Sequence, residues 1–373
     1  MASFIIKDAQ IFTGEETISK GYIYVSQGKI KAVGAISSLP KVSVPTYSKP
    51  GHTLLPGLID CHIHADMANP VALPQALRFG VTTVCEMHNE LVNVRKLKKQ
   101  AQEPDTAAYK TAGQAATIEN GWPIPVITAH DKSEETLAEI ATWPKLSNRA
   151  NVIEYLEWAQ REMQPDYIKL MHESGTSMGW QLTKPTVELE RIIVEEASKR
   201  GFLTVAHALS LQDTLEVLEA GVNGLTHTIC DQPPTQELVD AYKRNNAWLN
   251  PTLAAIGSLT AEGQELQHRF AHDPRIKGLI GKKEIGNLCN CMGFAVKTGK
   301  AEYAYESVRM LKEAGIDILW YVLPRSRPSL STPQLHILTA TPAAGATPRV
   351  QPSVLHSAYR CITNCTCLCT RRE

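Results

Sequence analysis

Short apolar runs alternate with segments of helical period along most of the chain. Between residues 186 and 200, for example, apolar side chains recur with the 3.6-residue period of a helix that buries one face. The same period predicts helices over 89–102, 131–142, 153–163, 212–220 and 302–314. The runs between them have the length and composition of buried strands. Eight strands are predicted, at 54–60, 81–86, 124–128, 167–171, 203–206, 224–226, 247–250 and 317–319.

These repeated strand–helix units predict an α/β fold, and their number favours a closed (β/α)8 barrel of TIM type. An open doubly wound sheet is the alternative, although no G-x-G-x-x-G motif opens any of the helices. The first 34 residues instead predict four short strands and a turn at Gln27-Gly28. They read as a small β satellite, with strands at 4–6, 9–12, 21–26 and 29–33.

Charge and composition limit the function classes. The 373 residues carry 38 basic and 38 acidic side chains, so a broad basic surface for nucleic acid or anionic lipid is not expected. No apolar run approaches about 18 residues, and the first ten residues lack the pattern of a secretion signal. The sequence therefore predicts a cytoplasmic protein that binds a small-molecule substrate, with no nucleic-acid or membrane partner, and it leaves a homo-oligomer open.

The last 54 residues differ from the rest of the chain. They hold six Arg, no Lys and a single acid, Glu373, which makes this segment basic and the remainder acidic. Such an abrupt shift leads to the hypothesis of a reading-frame change, an altered splice junction or a gene-model error. The predicted domains are thus a satellite (1–53), a barrel (54–322) and an aberrant Pro-, Ser-, Arg- and Cys-rich tail (323–373) that leaves the C-terminal end of the fold incomplete or irregular.

The nine cysteines fall into two groups. Five are scattered over the body and are expected to be reduced thiols. The tail has the pattern C-x3-C-x-C-x-C, whose spacing does not match the usual zinc pairs, so incidental cysteines are the favoured interpretation. These four are Cys361, Cys365, Cys367 and Cys369.

Ligand-type side chains follow successive predicted strands, at the face where a barrel builds its active site. His62 and His64 alternate on one strand and so point to the same side. His207 and His227 are 20 residues apart, which is one strand–helix unit, and are expected on adjacent strands. Lys169 lies within an apolar strand, where an unpaired ammonium is unfavourable. Each residue alone is compatible with a structural role, but together they favour a transition-metal site.

The stretch Pro56-Gly57-Leu58-Ile59-Asp60-Cys61-His62-Ile63-His64 resembles the first metal motif of the amidohydrolase superfamily. Asp166-Tyr167-Ile168-Lys169-Leu170 is similar to the strand that carries a carboxylated lysine in the imidazolonepropionase-like and prolidase-like branch. Val205-Ala206-His207-Ala208 and Gly224-Leu225-Thr226-His227 resemble that family's fifth and sixth strands. The β unit before these motifs resembles the N-terminal part of that family's composite β-sandwich, so the satellite is expected to be β-sandwich-like. The resemblance covers about residues 1–319 and implies a hydrolase of amide, cyclic amide or dipeptide-like carbon–nitrogen bonds.

The resemblance also implies a cofactor and residue roles. His62 and His64 would bind the more buried of two divalent ions, for which zinc is the default. His207 and His227 would bind the second, and carboxylated Lys169 would bridge them. From its place after the third predicted strand, His130 is a candidate for orienting the substrate or stabilising an oxyanion, with a structural role as the alternative. His172 and Glu173 are candidates for contacts behind the metals or with substrate, with a plain loop as the alternative.

One position departs from the family. The family ends its eighth strand with Gly-Thr-Asp or Gly-Ser-Asp, and that aspartate binds the first metal and transfers a proton. Leu323 stands at the corresponding place here, and an alkyl group does neither. The expectation is therefore a hydrolase impaired by this loss. A catalytically inactive protein that still binds metal or ligand is the alternative, and a metal-dependent phosphoesterase is a weaker third.

Overall fold

A computed structural model describes residues 3–280 and 282–319. These residues belong to two compact units, 3–59 and 60–319. The unit boundary lies six residues after the predicted domain boundary, which itself stays a prediction. The predicted tail, with Leu323 and its four cysteines, lies outside the described residues.

The first unit is a small sheet in the order β3-β2-β1-β4, with β5 also paired to β1. Neighbours β1, β2 and β3 are antiparallel, whereas β4 and β5 run parallel to β1. Ile11, Ile23 and Val25 form its core. The strands are β1 (Phe4–Phe12), β2 (Thr17–Ser26), β3 (Lys29–Ala35), β4 (Thr46–Ser48) and β5 (Thr53–Leu54).

Strand β1 corrects one prediction. The sequence predicted two strands separated at residues 7 and 8, but one strand crosses this point with a shift of register next to Asp8. Asp8 has a positive φ of 62°, and its carboxylate accepts a hydrogen bond from the Ser48 hydroxyl at 2.8 Å. A bulge absorbs the irregularity without ending the strand. The predicted turn at Gln27-Gly28 is confirmed, because both residues have positive φ between β2 and β3.

The second unit contains the strand–helix repeats. Strands β6, β7 and β8 form one sheet, and β9 to β12 form another in chain order. All pairings from β9 to β12 are parallel, as is that of β7 with β8. Parallel bridges of Ala116 with Leu170 and of Leu249 with Ile318 extend the series at both ends of the second sheet. The strands are β6 (Leu58–Ile63), β7 (Val81–Glu86), β8 (Ala108–Thr111), β9 (Ile168–Met171), β10 (Thr204–His207), β11 (Gly224–Thr226) and β12 (Trp248–Asn250).

Helices connect these strands, and several begin at a side chain that accepts a backbone N–H, as helix starts require. Ser133, Asn148, Thr186, Ser210 and Thr235 are such residues. The helices are α1 (Ala72–Arg78), α2 (Leu91–Gln100), α3 (Ile124–His130), α4 (Glu134–Ala141), α5 (Arg149–Trp158), α6 (Val187–Lys199), α7 (Leu211–Glu219), α8 (Gln236–Asn245), α9 (Leu253–Leu259), α10 (Gln264–Ala271), α11 (Lys282–Leu288) and α12 (Ala301–Glu313). A π-helical turn, Ala159–Met163, extends α5. None of the described helices has the length and apolar character to span a membrane.

The predicted third strand is wrong. Residues 124–128 belong to helix α3, and the third strand is β8, four residues of mixed polarity. Ile124 and Ile127, three residues apart, lie on one helical face and pack with Ile140 and Trp143. A short apolar run of this kind is compatible with one buried face of a helix as well as with a buried strand.

The mixed α/β class is confirmed. The inner residues of β9 to β12 are almost fully buried, and α6, α7, α8 and α12 contribute apolar side chains to the same core. Closure of these two sheets into a barrel stays a prediction. What matters for function is that successive parallel strands present their carboxyl ends in chain order.

Candidate metal centre

His62 and His64 lie at the carboxyl end of β6. Their Nε2 atoms are 3.2 Å apart, His62 is 1% exposed, and the His64 side chain is 23% exposed. With an ion about 2.0–2.1 Å from both nitrogens, this separation gives an N–metal–N angle of about 100–106°, which is close to tetrahedral. The pair therefore fits a common ion.

His207 and His227 continue this arrangement. His207 is the last residue of β10 and His227 directly follows β11. These strands pair directly, so the prediction that the two histidines lie on adjacent strands is confirmed. Their ring centroids are 4.7 Å apart, and those of His227 and His62 are 4.8 Å apart. With 5.2 Å between His62 and His64, the four imidazoles form one continuous row. Trp122 stacks on the outer face of this row, 5.4 Å from the His207 ring.

Second partners of these rings favour particular tautomers. Nδ1 of His64 is 3.4 Å from the carbonyl oxygen of His88, which can only accept, so the proton belongs on Nδ1 and Nε2 carries the lone pair. By the same argument, the Glu173 carboxylate 3.0 Å from Nε2 of His207 leaves Nδ1 as the ligand atom. Nδ1 of His227 lies 2.7 Å from the Thr252 hydroxyl. Such outer contacts are a regular feature of metal-binding histidines.

Lys169 lies in β9 and is 1% exposed. Its ammonium donates to the Thr226 hydroxyl, which in turn donates to the carbonyl oxygen of Ala206 at 3.2 Å. Burial lowers the pKa of His207, and the nearby Lys169 charge lowers it further, while Glu173 opposes both. His207 is thereby favoured in the neutral form that a metal requires.

The backbone at this edge adopts uncommon conformations. His227 has φ of 75°, and Thr252, which it contacts, has φ of 45°. Left-handed backbone is unfavourable for most side chains and especially for β-branched residues such as threonine. Strain of this kind clusters at functional sites.

Two residues at the end of β7 were not predicted as part of the site: Glu86, the last residue of the strand, and His88, two residues later. Glu86 is fully buried, accepts the backbone N–H of Ala65 at 2.9 and 3.1 Å, and lies 3.8 Å from Nδ1 of His64. Nδ1 of His88 accepts the N–H of Ala115 at 3.0 Å, so its proton lies on Nε2. Among the described residues this Nε2–H has no acceptor. Burial lowers the pKa of His88, which makes it a neutral hydrogen-bond donor. Their position at the carboxyl end of a predicted strand was the available signal.

His172 belongs to a separate buried ionic network. Its ring lies 3.0 Å from Glu190, 3.5 Å from Asp213 and 3.1 Å from Glu216. His172, Asp213 and Glu216 have the spacing of metal ligands, but the ammonium of Lys184 lies 2.9 Å from Asp213 and 2.6 Å from Glu216. Because that ammonium already supplies the cation, we assign the network a structural role. Asp213 also holds the loop at Ser174, next to Glu173.

His130 is the last residue of α3, not a residue after a strand, so the basis for placing it at the site is wrong. The direction of its side chain lies outside what the structure describes, and its substrate role stays a prediction. Leu323 lies outside the described residues, so the loss of the metal-binding aspartate at that position also stays a prediction.

Comparison with known proteins bears on the fold. No protein-family model matches the chain. Among solved structures, a Xaa-Pro dipeptidase superposes with a TM-score of 0.61 at 15% identity, covering 85% of this chain and 78% of that chain. The ochratoxinase of A. niger gives 0.62 at 18% identity, with 85% and 75% covered. Phenylurea hydrolase B gives 0.61 at 17% identity, with 85% and 74% covered. The chain shares its fold with these three proteins.

The resemblance to the amidohydrolase superfamily is thus confirmed at the level of the fold. One characterised relative also matches in sequence, N-acetylglucosamine-6-phosphate deacetylase of Bacillus subtilis (strain 168). It is 39% identical over an alignment 115 residues long, and the match covers 26% of this chain and 29% of that protein. The match therefore spans less than a third of the relative.

Proposed function

We propose that the protein is a metal-dependent hydrolase of carbon–nitrogen bonds in amide, cyclic amide or dipeptide-like substrates. The observation that carries the proposal is the row of four buried or half-buried imidazoles at the ends of β6, β10 and β11, with the 3.2 Å separation of His62 and His64. Proteins with the same fold include a dipeptidase and a phenylurea hydrolase, and the matched relative is a deacetylase. All three names describe cleavage of a carbon–nitrogen bond.

In this proposal the two sheets of the second unit close into a (β/α)8 barrel, and the row of imidazoles lies at its carboxyl face. His62 and His64 hold one divalent ion through Nε2. His207 holds a second through Nδ1, together with His227. Zinc is the first metal to test, because imidazole nitrogens suit it well.

Lys169 joins the set only if its charge is removed, because an ammonium beside two cations would repel them. We propose that its neutral amine adds carbon dioxide, forming a carbamate and releasing one proton. Its burial and the Thr226 hydroxyl beside it support this step, since that hydroxyl can donate to a carbamate oxygen after giving up its bond to Ala206.

When bound, such ions supply a nucleophilic hydroxide at neutral pH and polarise the substrate carbonyl. The protein's own residues then have defined tasks. Glu173 and the carbonyl of His88 hold the ring orientations of His207 and His64. The Nε2–H of His88 donates to a substrate oxygen. Trp122 shields the His207 side of the row from water.

The test compares purified wild type with His62→Ala/His64→Ala and with His52→Ala, an exposed histidine of the first unit, as the matched control. Metal content and turnover of dipeptides, N-acyl amino acids and cyclic amides are measured. We expect the double variant to hold less transition metal than wild type and to lose any metal-dependent turnover, while the control matches wild type in both. Full metal content in the double variant would contradict the metal site. Metal that depends on both histidines, without turnover in wild type, would support the inactive binding protein instead.

A further inference from the structure

Three ligand-type side chains meet outside the strand ends. His268 lies on α10, His272 is the residue that caps this helix, and Cys289 directly follows α11. One ligand atom from each lies within 4.8 Å of the other two. Both histidines are exposed and Cys289 is half-buried, so the group is open to solvent.

The two histidines have a geometry that suits binding of one metal ion. Because they are four residues apart, they lie on the same face of the helix end, and their rings stack at 5.9 Å between centroids. Nδ1 of His272 lies 2.8 Å from the carbonyl oxygen of His268, which can only accept. The proton of His272 therefore belongs on Nδ1, and its Nε2 carries the lone pair that a metal uses.

The third side chain changes the chemistry of the pair. Two imidazoles with a thiolate form a ligand set that zinc and other borderline-soft divalent ions prefer. Tetrahedral coordination with ordinary bond lengths places such ligand atoms about 3.3–3.6 Å apart. From 4.8 Å or less, small rotations of exposed side chains reach that spacing. The group also lies at the carboxyl end of α10, where the helix dipole favours a cation.

We propose that His268, His272 and Cys289 bind a divalent transition metal of the zinc class, with water as the fourth ligand. This ion links the end of α10 to the residue after α11. The site is separate from the proposed hydrolytic centre and does not depend on it. It would add one ion per chain to any metal count.

Cobalt(II) is the probe, because a thiolate bound to it gives a charge-transfer absorption that nitrogen and oxygen ligands do not give. The proposed hydrolytic centre contains no sulfur ligand, so this band reports the new site alone. The experiment uses the full chain with Cys361, Cys365, Cys367 and Cys369 replaced by Ser, stripped of metal and titrated with cobalt. Cys289→Ser and His272→Gln are the variants, and Cys291→Ser is the matched control.

We expect the parent and Cys291→Ser to show the band. Cys289→Ser should lose the band and bind one equivalent of cobalt less than the parent. His272→Gln should weaken the affinity reported by the band by at least about tenfold, the lower bound for losing even an outer contact. His62→Ala/His64→Ala should keep the band, which separates failure of this site from failure of the hydrolytic centre. Absence of the band in the parent, or its persistence in Cys289→Ser, would overturn the proposal.

Discussion

Replacing Glu173 by Gln changes two hydrogen bonds that one buried carboxylate accepts. The carboxylate is fully buried, accepts from Nε2 of His207 at 3.0 Å and accepts the N–H of Gly175 at 2.7 Å. A glutamine has only one oxygen to serve these two donors. If its oxygen stays with Gly175, its NH2 faces His207 and moves the ring proton to Nδ1, which removes the proposed ligand atom. If its oxygen turns to His207, the NH2 opposes the N–H of Gly175.

The second orientation leaves the buried N–H of Gly175 without an acceptor, which costs about 1–3 kcal/mol in the free energy of unfolding. The first orientation keeps that bond and changes the tautomer of His207 instead. Loss of an outer contact to a metal-binding histidine typically lowers metal affinity about 10–100-fold. We therefore expect Glu173→Gln to show both effects, with the metal held by His62 and His64 less affected than the second ion.

The assay is zinc titration of the metal-free protein together with thermal unfolding. Glu190→Gln is the matched control, since Glu190 is equally buried but contacts His172 and not His207. The control should lose stability and keep its affinity for the second ion. The reasoning would be refuted by a Glu173→Gln protein whose zinc affinity lies within about twofold of wild type.

Three further outcomes are expected. Gly224→Ala should lower the free energy of unfolding by at least about 1–3 kcal/mol, because the new methyl would overlap the Trp248 ring, and Trp248→Leu should relieve much of that loss. Burial opposes the charge of His172, but Asp213 and Glu190 outweigh it and raise its pKa to about 10 from an ordinary 6.5. Its stabilising contribution is therefore complete below about pH 6.5 and declines as the pH rises through 10. Melting temperatures at pH 7 and pH 9.5 should differ less in His172→Gln than in wild type, and an equal difference would exclude this origin. Loss of the His88 donor in His88→Phe should reduce kcat/KM about tenfold at unchanged metal content, whereas unaltered kinetics would show that His88 does not contact substrate.

Local patterns predicted much of the fold. Helix α6 was predicted as 186–200 and runs from Val187 to Lys199, because its period and the Thr186 cap are both local signals. The adjacency of His207 and His227 followed from the length of one strand–helix unit. The four histidines and Lys169 were all recognisable because each follows or lies in an apolar run.

Long-range packing decided what the sequence could not predict. Residues 124–128 form a helix because Ile124 and Ile127 find partners in Ile140 and Trp143, which no local pattern reveals. Glu86 joins the site through the backbone of Ala65, 21 residues earlier. The contact of Glu173 with His207 spans 34 residues. Such contacts depend on which strands become neighbours, so only the assembled sheets show them.

The left-handed backbone at His227 and Thr252 places thermal stability in opposition to the proposed metal chemistry. A residue held in this conformation costs about 1–3 kcal/mol, which glycine would avoid. Variants with Gly at either position can therefore gain backbone freedom while giving up the imidazole or the hydroxyl that orients it. A library of this protein selected for heat resistance alone would be drawn toward such replacements and away from the proposed centre. Selection that includes metal retention would keep both side chains. The difference in free energy of unfolding between variants from the two selections would then measure the stability lost to these backbone conformations.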